Sequence, residues 1–230
     1  MTFATEARTR DADYPLLSVN VGLAREAQFK GKEARSGIYK SRIVGAVPVH
    51  LTGLSGDEQA DTVNHGGPDK AVCAYPYRHY AFWEEKLGQS LEYGAFGENF
   101  TIDEVDETEV CIGDVFSIGD TRLQISQPRI PCWKLAMKWG VDELPAMVRD
   151  TGKTGFYFRV LTPGAVEPGQ RLVRIAADPA GITVDEANAI MHRGKTDREG
   201  MRRLLALAPL ADSWKETLTA RLSRLEEETL

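Results

Sequence analysis

From Leu16 to about Ile175 the apolar residues fall in short runs, often alternating with polar ones, and each run is bounded by Gly, Pro, Asp or Asn. Alternation over so few residues is the mark of half-buried strands. The candidates are Leu16–Val21, Ile43–Leu51, Asn99–Ile102, Val115–Ile118, Arg122–Ile125, Gly155–Leu161 and Arg171–Ile175. Between two of them, Ile118-Gly119-Asp120-Thr121 has the composition of a tight hairpin link. The long helices that parallel crossovers need are mostly missing, so a mainly β domain, a barrel or closed sandwich, is expected rather than a doubly wound sheet.

Two helices interrupt the strands. Tyr77–Leu87 places Tyr80, Trp83 and Leu87 on one face before Gly88, and the aromatic stripe reads as core packing. Val141–Asp150 is shorter, with Pro145 near its first turn and Gly152 as a stop. After Ala177 the pattern changes. Thr183-Val184-Asp185-Glu186 is a capping box, and Asp197 and then Asp212 or Ser213 precede two further amphipathic stretches. The expected organisation is a β domain over 1–177 and a small three-helix α domain over 178–230, with Asp178-Pro179-Ala180-Gly181 as a hinge.

Composition narrows the function classes. The chain is 42% hydrophobic and 27% charged with a formal net charge of −6, a globular mix that argues against a broadly basic nucleic-acid or membrane-surface binder. Residues 178–230 hold eight Lys or Arg against ten Asp or Glu, so the basic run from Arg193 to Arg203 reads as a solvated helix face. Cys73, Cys111 and Cys132 have no metal-finger spacing and suggest no disulfide framework. Met1–Tyr14 lacks an apolar signal core, and no window approaches a membrane span. A cytoplasmic location is the expectation.

Cys132 follows two prolines in Gln127-Pro128-Arg129-Ile130-Pro131-Cys132, with Arg129 and Lys134 within three residues. The prolines impose extended backbone on Gln127 and Ile130, which puts the thiol on a constrained turn. Neighbouring cations favour a thiolate, the form that ligates soft metals, whereas a buried inert cysteine is the alternative. His65-Gly-Gly-Pro-Asp-Lys-Ala71 combines glycines that permit close backbone approach with a proton carrier, His65, and a cation, Lys70. In Phe96-Gly-Glu-Asn99, Glu98 and Asn99 have the donors and acceptors to read a heterocycle edge, or else form a glycine turn. Lys40, Arg129 and Arg159 alternate with apolar neighbours and are candidate anion contacts or ordinary surface cations.

Taken in order, Ser36–Lys40, Gly56–Asp61, His65–Ala71, Phe96–Asn99, Ile112-Gly-Asp114, Gln127–Cys132 and Phe156–Val160 resemble the MOSC domain. The closest likeness is to the bacterial branch associated with resistance to 6-N-hydroxylaminopurine, whose C-terminal three-helix domain the tail resembles. The resemblance implies a barrel-like β domain and binding of the molybdenum cofactor, Mo-molybdopterin, with Cys132 as metal ligand. It further implies reduction of a small N-hydroxylated substrate with electrons from a separate reductase, because no flavin, haem or iron–sulfur motif is present. In that scheme His65 is the proton donor and Lys40, Lys70, Glu98, Asn99, Arg129 and Arg159 contact the cofactor or shape its pocket. Two alternatives stay open: a cofactor carrier or cysteine-persulfide sulfur-transfer module, and a plain anion-binding protein. The tail has two readings as well, a docking face for the reductase or packing against a second copy in a homodimer.

Overall fold

A computed structural model of the chain describes residues 12–228, so the expectation for Met1–Asp11 lies outside the described residues. Seven strands close a barrel: β1 (Asp13–Val21), β2 (Val72–Pro76), β3 (Phe100–Ile102), β4 (Val115–Ile118), β5 (Thr121–Pro128), β6 (Phe156–Thr162) and β7 (Arg171–Ala176). Their order around the barrel is β1-β3-β2-β6-β5-β4-β7, and β7 returns to β1. Only β2 and β3 run parallel, with Ala74 opposite Phe100, and the helical crossover between them supplies the length that a parallel pair needs. Closure leaves no open edge on these seven strands.

The alternation seen in sequence becomes the barrel interior. Leu123 and Ile125 on β5 and Phe156, Phe158 and Val160 on β6 point inward and are buried. The hairpin predicted at Gly119-Asp120 joins β4 to β5, with Ile118 paired to Thr121. The expected strand Ile43–Leu51 is shorter, Val47–His50, and pairs outside the barrel with Gly53–Leu54 and Gly164–Val166.

Among the described residues four α-helices lie before the tail: α1 (Thr62–His65), α2 (Tyr80–Leu87), α3 (Trp133–Trp139) and α4 (Leu144–Thr151). A 3₁₀ turn, Tyr77–His79, leads into α2, whose Tyr80 and Trp83 are buried as the stripe predicted. They join Tyr75, Phe96, Leu135 and Leu144 in a second core outside the barrel. Tyr75 and Phe96 stack with ring centroids 4.2 Å apart, and Trp83 Nε1 donates to Tyr75 Oη at 2.7 Å.

Among the elements that the sequence left unmarked are strand β2, whose residues are all buried and so do not alternate, helix α3 and an outer ribbon. Helix α3 lacks a Ser, Thr, Asp or Asn cap, and the prolines upstream mask its start; its end is signalled by Lys138 and by Gly140 in the left-handed region. The ribbon Arg25–Phe29 with Lys32–Ser36 carries polar residues on both faces. Its turn, Lys30-Gly31, has two positive φ values, as a type I′ link requires, but with Lys where Asn or Asp is usual. Phe29 stacks on Trp133 at 5.5 Å, and Lys30 pairs with Asp142 at 2.9 Å, which lays the ribbon against α3.

The tail forms α5 (Val184–Asn188), continued by a π-helical turn Ala189–Arg193, then α6 (Arg198–Leu205) and α7 (Asp212–Glu227). Thr183 Oγ1 accepts from Glu186 N, and the Asp197 carboxylate accepts from Gly200 N, so two of the three expected caps form. Helix α7 instead has Ala211 at its cap position. The expected hinge is tied down: Asp178 N donates to Asp114 Oδ1 at 2.8 Å, and Asp114 in turn pairs with Arg174. Met201, Leu204, Trp214 and Leu218 share one cluster of buried side chains with the barrel interior. The tail therefore packs on the barrel rather than hanging from it. Arg202 and Arg203 of the basic run pair with Glu226 and Glu186.

Candidate functional site

Lys40, His65, Lys70, Asn99, Arg129 and Cys132, six of the eight residues singled out in the sequence, line one cleft. Cys132 follows the end of β5 as the cap residue of α3, in extended backbone, and its thiol makes no cap hydrogen bond. It is half-buried, whereas Cys73 and Cys111 are buried. Burial pushes the Cys73 thiol up to about 11, so it stays protonated in the cleft wall.

His65 Nε2 lies 3.3 Å from Cys132 Sγ. On the other side of the ring, Nδ1 faces both Asp61 Oδ2 at 3.3 Å and Lys134 Nζ at 3.4 Å. One neighbour is an acceptor and the other a donor, so the ring suits two tautomers. With Nδ1–H donating to Asp61, Nε2 accepts from the thiol. With Nδ1 accepting from Lys134, Nε2–H faces a thiolate. The two states differ by one proton, and the ring meets either form of the thiol without moving.

Burial, then the Lys134 ammonium, hold the imidazole below its usual pKa, and Asp61 only partly offsets them. His65 is therefore neutral at pH 7 and becomes charged only on the acid side of the ordinary imidazole midpoint. Replacing Lys134 by methionine removes the second cause, so the His65 midpoint moves upward; ring-proton NMR across pH in metal-free protein reads the shift. A midpoint that stays put or falls would show that Lys134 does not act on the ring.

Arg129 forms the buried floor. Its Nη2 donates to Phe96 O at 2.6 Å, while Nη1 is buried with no hydrogen-bond partner among the described residues. Burial works against the guanidinium charge, and the Cys73, Tyr157 and Cys132 groups around it outweigh that effect and raise its pKa. A buried N–H left open in this way is costly, and an acceptor on a bound ligand would satisfy it. Lys70 adds a second cation, its pKa lowered by burial against the pull of Asp69 and Asp61.

Other assignments change. Lys40 lines the cleft, but its ammonium is buried against the Asp57 carboxylate, which compensates its charge. Asp57 is the residue that sequence reasoning missed here, although it sits within Gly56–Asp61. Asn99 faces the cleft with its amide already engaged: Oδ1 accepts from Cys73 N at 3.0 Å, and Nδ2 donates to Asp57 Oδ2 at 2.9 Å and Asn20 O at 3.2 Å. It braces the walls and has no amide N–H left with which to read a heterocycle.

Glu98 and Arg159 do not belong to the cleft. Glu98 is fully buried, and its carboxylate accepts from Gly94 N, Phe96 N, Thr101 Oγ1 and Tyr80 Oη, which holds the Gly94–Gly97 turn. Arg159 reaches Asp69, Gln124 and the Pro209 carbonyl on the side of the helical tail. Alternation along a strand predicted that Arg159 faces away from the barrel core but not which outer neighbour it meets.

The strap Ser36–Lys40 closes another side of the cleft. A Cβ at Gly37 would overlap the Glu58 carbonyl oxygen, so the two chain segments approach as closely as only glycine permits. The cleft volume is about 70 Å³, room for about two waters at roughly 30 Å³ each, so a larger ligand extends through the mouth.

Barrel and cleft together define a β-barrel protein with a cleft that is lined by one half-buried thiol. A family model described as MOSC domain matches residues 61–173, and one described as YiiM-like, 3-alpha helix domain matches residues 182–225. YflK of Bacillus subtilis (strain 168) is 45% identical over 212 residues, 92% of this chain and 96% of that protein. YiiM from Geobacillus stearothermophilus, a solved structure, matches with a TM-score of 0.79 at 35% identity, over 91% of this chain and 99% of that one. A Gibberella moniliformis (strain M3125 / FGSC 7600) protein named Reductase is 34% identical over 161 residues, 68% of this chain and 28% of that protein. The chain belongs to the MOSC family, with the YiiM-like three-helix domain at its C-terminal side. Among the described residues no helix is long and apolar enough to cross a membrane.

Proposed function

We propose that the cleft binds the molybdenum cofactor through Cys132 and that the protein reduces N-hydroxylated compounds such as 6-N-hydroxylaminopurine. The observation that carries this reading is the accessible Cys132 thiol set 3.3 Å from the His65 imidazole, beside the open Nη1 of Arg129. Among the described residues no three His, Cys, Asp or Glu side chains cluster to hold a bare metal ion. A single thiolate instead suits a metal that brings sulfur ligands of its own. Arg129 and Lys70 fit the anionic part of such a cofactor. The fungal relative named Reductase supports redox chemistry in this family.

When bound, the cofactor supplies the two-electron chemistry. The overall change is R–NHOH + 2 e⁻ + 2 H⁺ → R–NH₂ + H₂O, and the residues of this chain handle the protons and the substrate. His65 acts as a relay: Nε2–H gives its proton toward the leaving oxygen while Nδ1, 3.4 Å from Lys134 Nζ, takes a replacement from that ammonium, so the ring stays neutral. The buried guanidinium of Arg129 and the walls formed by Cys73 and Tyr157 limit water at the floor. The electrons come from a separate reductase.

Protein made in a cofactor-competent host is expected to carry about one molybdenum per chain, read by elemental analysis with pterin fluorescence, and to turn over 6-N-hydroxylaminopurine with a supplied electron donor. Folded protein without molybdenum despite adequate supply would overturn the reading. Cofactor without turnover would favour a carrier or sulfur-transfer role for Cys132.

A further inference from the structure

We propose that the helical tail is a clamp that holds His65 against Cys132, with Asp69, Arg159 and the first turn of α7 as its positioning residues. The proposal rests on the pairing of the thiol with the imidazole and not on the molybdenum chemistry. His65 ends the short helix α1 and Cys132 caps α3, and their contact spans 67 positions of chain. Such a contact is accurate only if both segments are fixed from outside.

Asp69, four residues beyond His65 and next to Lys70, supplies that fixing. Its Oδ1 accepts from Arg159 Nε at 2.9 Å and from Arg159 Nη2, and its Oδ2 accepts from the backbone N–H of Asp212, the first residue of α7, at 3.0 Å. Arg159 also donates from Nη1 to the Pro209 carbonyl at 3.1 Å. The same stretch of the tail grips the strand that leads to Cys132: Ala211 N donates to Ser126 O at 3.0 Å, and Ser213 Oγ to Gln127 Oε1 at 3.4 Å. Ser126 Oγ in turn donates to the Asp69 carbonyl, which links the two segments directly. Residues 209–213 thus touch the His65 segment and the Cys132 segment together. The guanidinium–carboxylate pair makes the grip charge-assisted and directional.

Asp212→Pro is a selective probe. It deletes the N–H that Asp69 accepts, at the first helical position where proline is tolerated, and the preceding Ala211 already has the extended φ −59° and ψ 141° that proline requires. The readout is the nuclear Overhauser cross-peak between the His65 ring and the Cys132 β-protons in metal-free full-length protein, recorded at fixed pH. The expected result is a weakened cross-peak in Asp212→Pro and its loss in Arg159→Gln. Asp212→Ala, which keeps the N–H, retains the wild-type intensity. The melting temperature of Asp212→Pro falls by about 4 °C at most. Wild-type cross-peak intensity in Asp212→Pro and in any folded Arg159→Gln sample would overturn the proposal, whatever their melting temperatures, because the tail would then be structural only. If Arg159→Gln does not fold, Asp212→Pro decides alone.

Discussion

Replacing Cys132 by serine is expected to abolish both molybdenum retention and N-hydroxy reduction while leaving the fold intact. Serine is nearly isosteric, but its hydroxyl is a hard, weakly acidic group that does not replace a thiolate toward a soft metal. The loss of turnover should exceed the roughly 10–100-fold that follows removal of an outer-shell partner of a metal site. Stability points the other way. Cys132 is the cap residue of α3 and its side chain makes no cap hydrogen bond. Serine is among the preferred residues at that position, so capping stabilises the helix by about 1 kcal/mol or leaves it unchanged. A melting curve at or slightly above wild type, beside metal-free and inactive protein, is the expected pair of results. Unchanged turnover in a metal-loaded Cys132→Ser sample would refute the thiol-ligand mechanism.

Glu98→Ala should do the reverse, with its primary effect on folding. The carboxylate accepts two backbone N–H bonds, from Gly94 at 2.9 Å and Phe96 at 2.9 Å, and two hydroxyls. Truncation leaves those donors buried without an acceptor, at about 1–3 kcal/mol each before relaxation. A loss of about 3 kcal/mol or more is expected, which in a chain of this size lowers the melting temperature by roughly 6–12 °C. Glutamine restores an acceptor but places an N–H₂ where a donor already points, so Glu98→Gln should fall between the two. Denaturant unfolding of the three proteins checks the order. A Glu98→Ala protein that melts like wild type yet loses cofactor would return this residue to the binding site.

The contrast between these residues shows what a sequence reveals of a site. Cys132, His65, Lys70 and Arg129 were legible because each combines a chemically distinctive side chain with proline or glycine punctuation that constrains the chain around it. Glu98 and Asn99 carry equally capable groups in an equally suggestive loop, but their donors and acceptors are consumed within the protein. Whether a polar group serves a ligand or the fold depends on which partners reach it, and those of Asn99 lie 26, 42 and 79 positions away. Helix α3 went unseen for a local reason, since its cap is the cysteine itself and its upstream prolines signal extended chain.

The sequence by itself determined the barrel strands of alternating residues, two side-chain helix caps of the tail and the turn between β4 and β5, and it singled out Cys132 as the candidate thiol. All of these follow from forces that act within a few residues: side-chain periodicity, φ restriction and local hydrogen bonding. Only the tertiary structure decided that Asp57 compensates Lys40, that Arg159 turns toward the tail, and that residues 209–213 reach both sides of the thiol–imidazole pair. Barrel closure and packing of the helices on it bring together groups as far apart as Asp69 and Asp212. Contacts across such separations leave no periodic trace in the chain, because they are set by how the whole core packs and not by the conformation of any one segment.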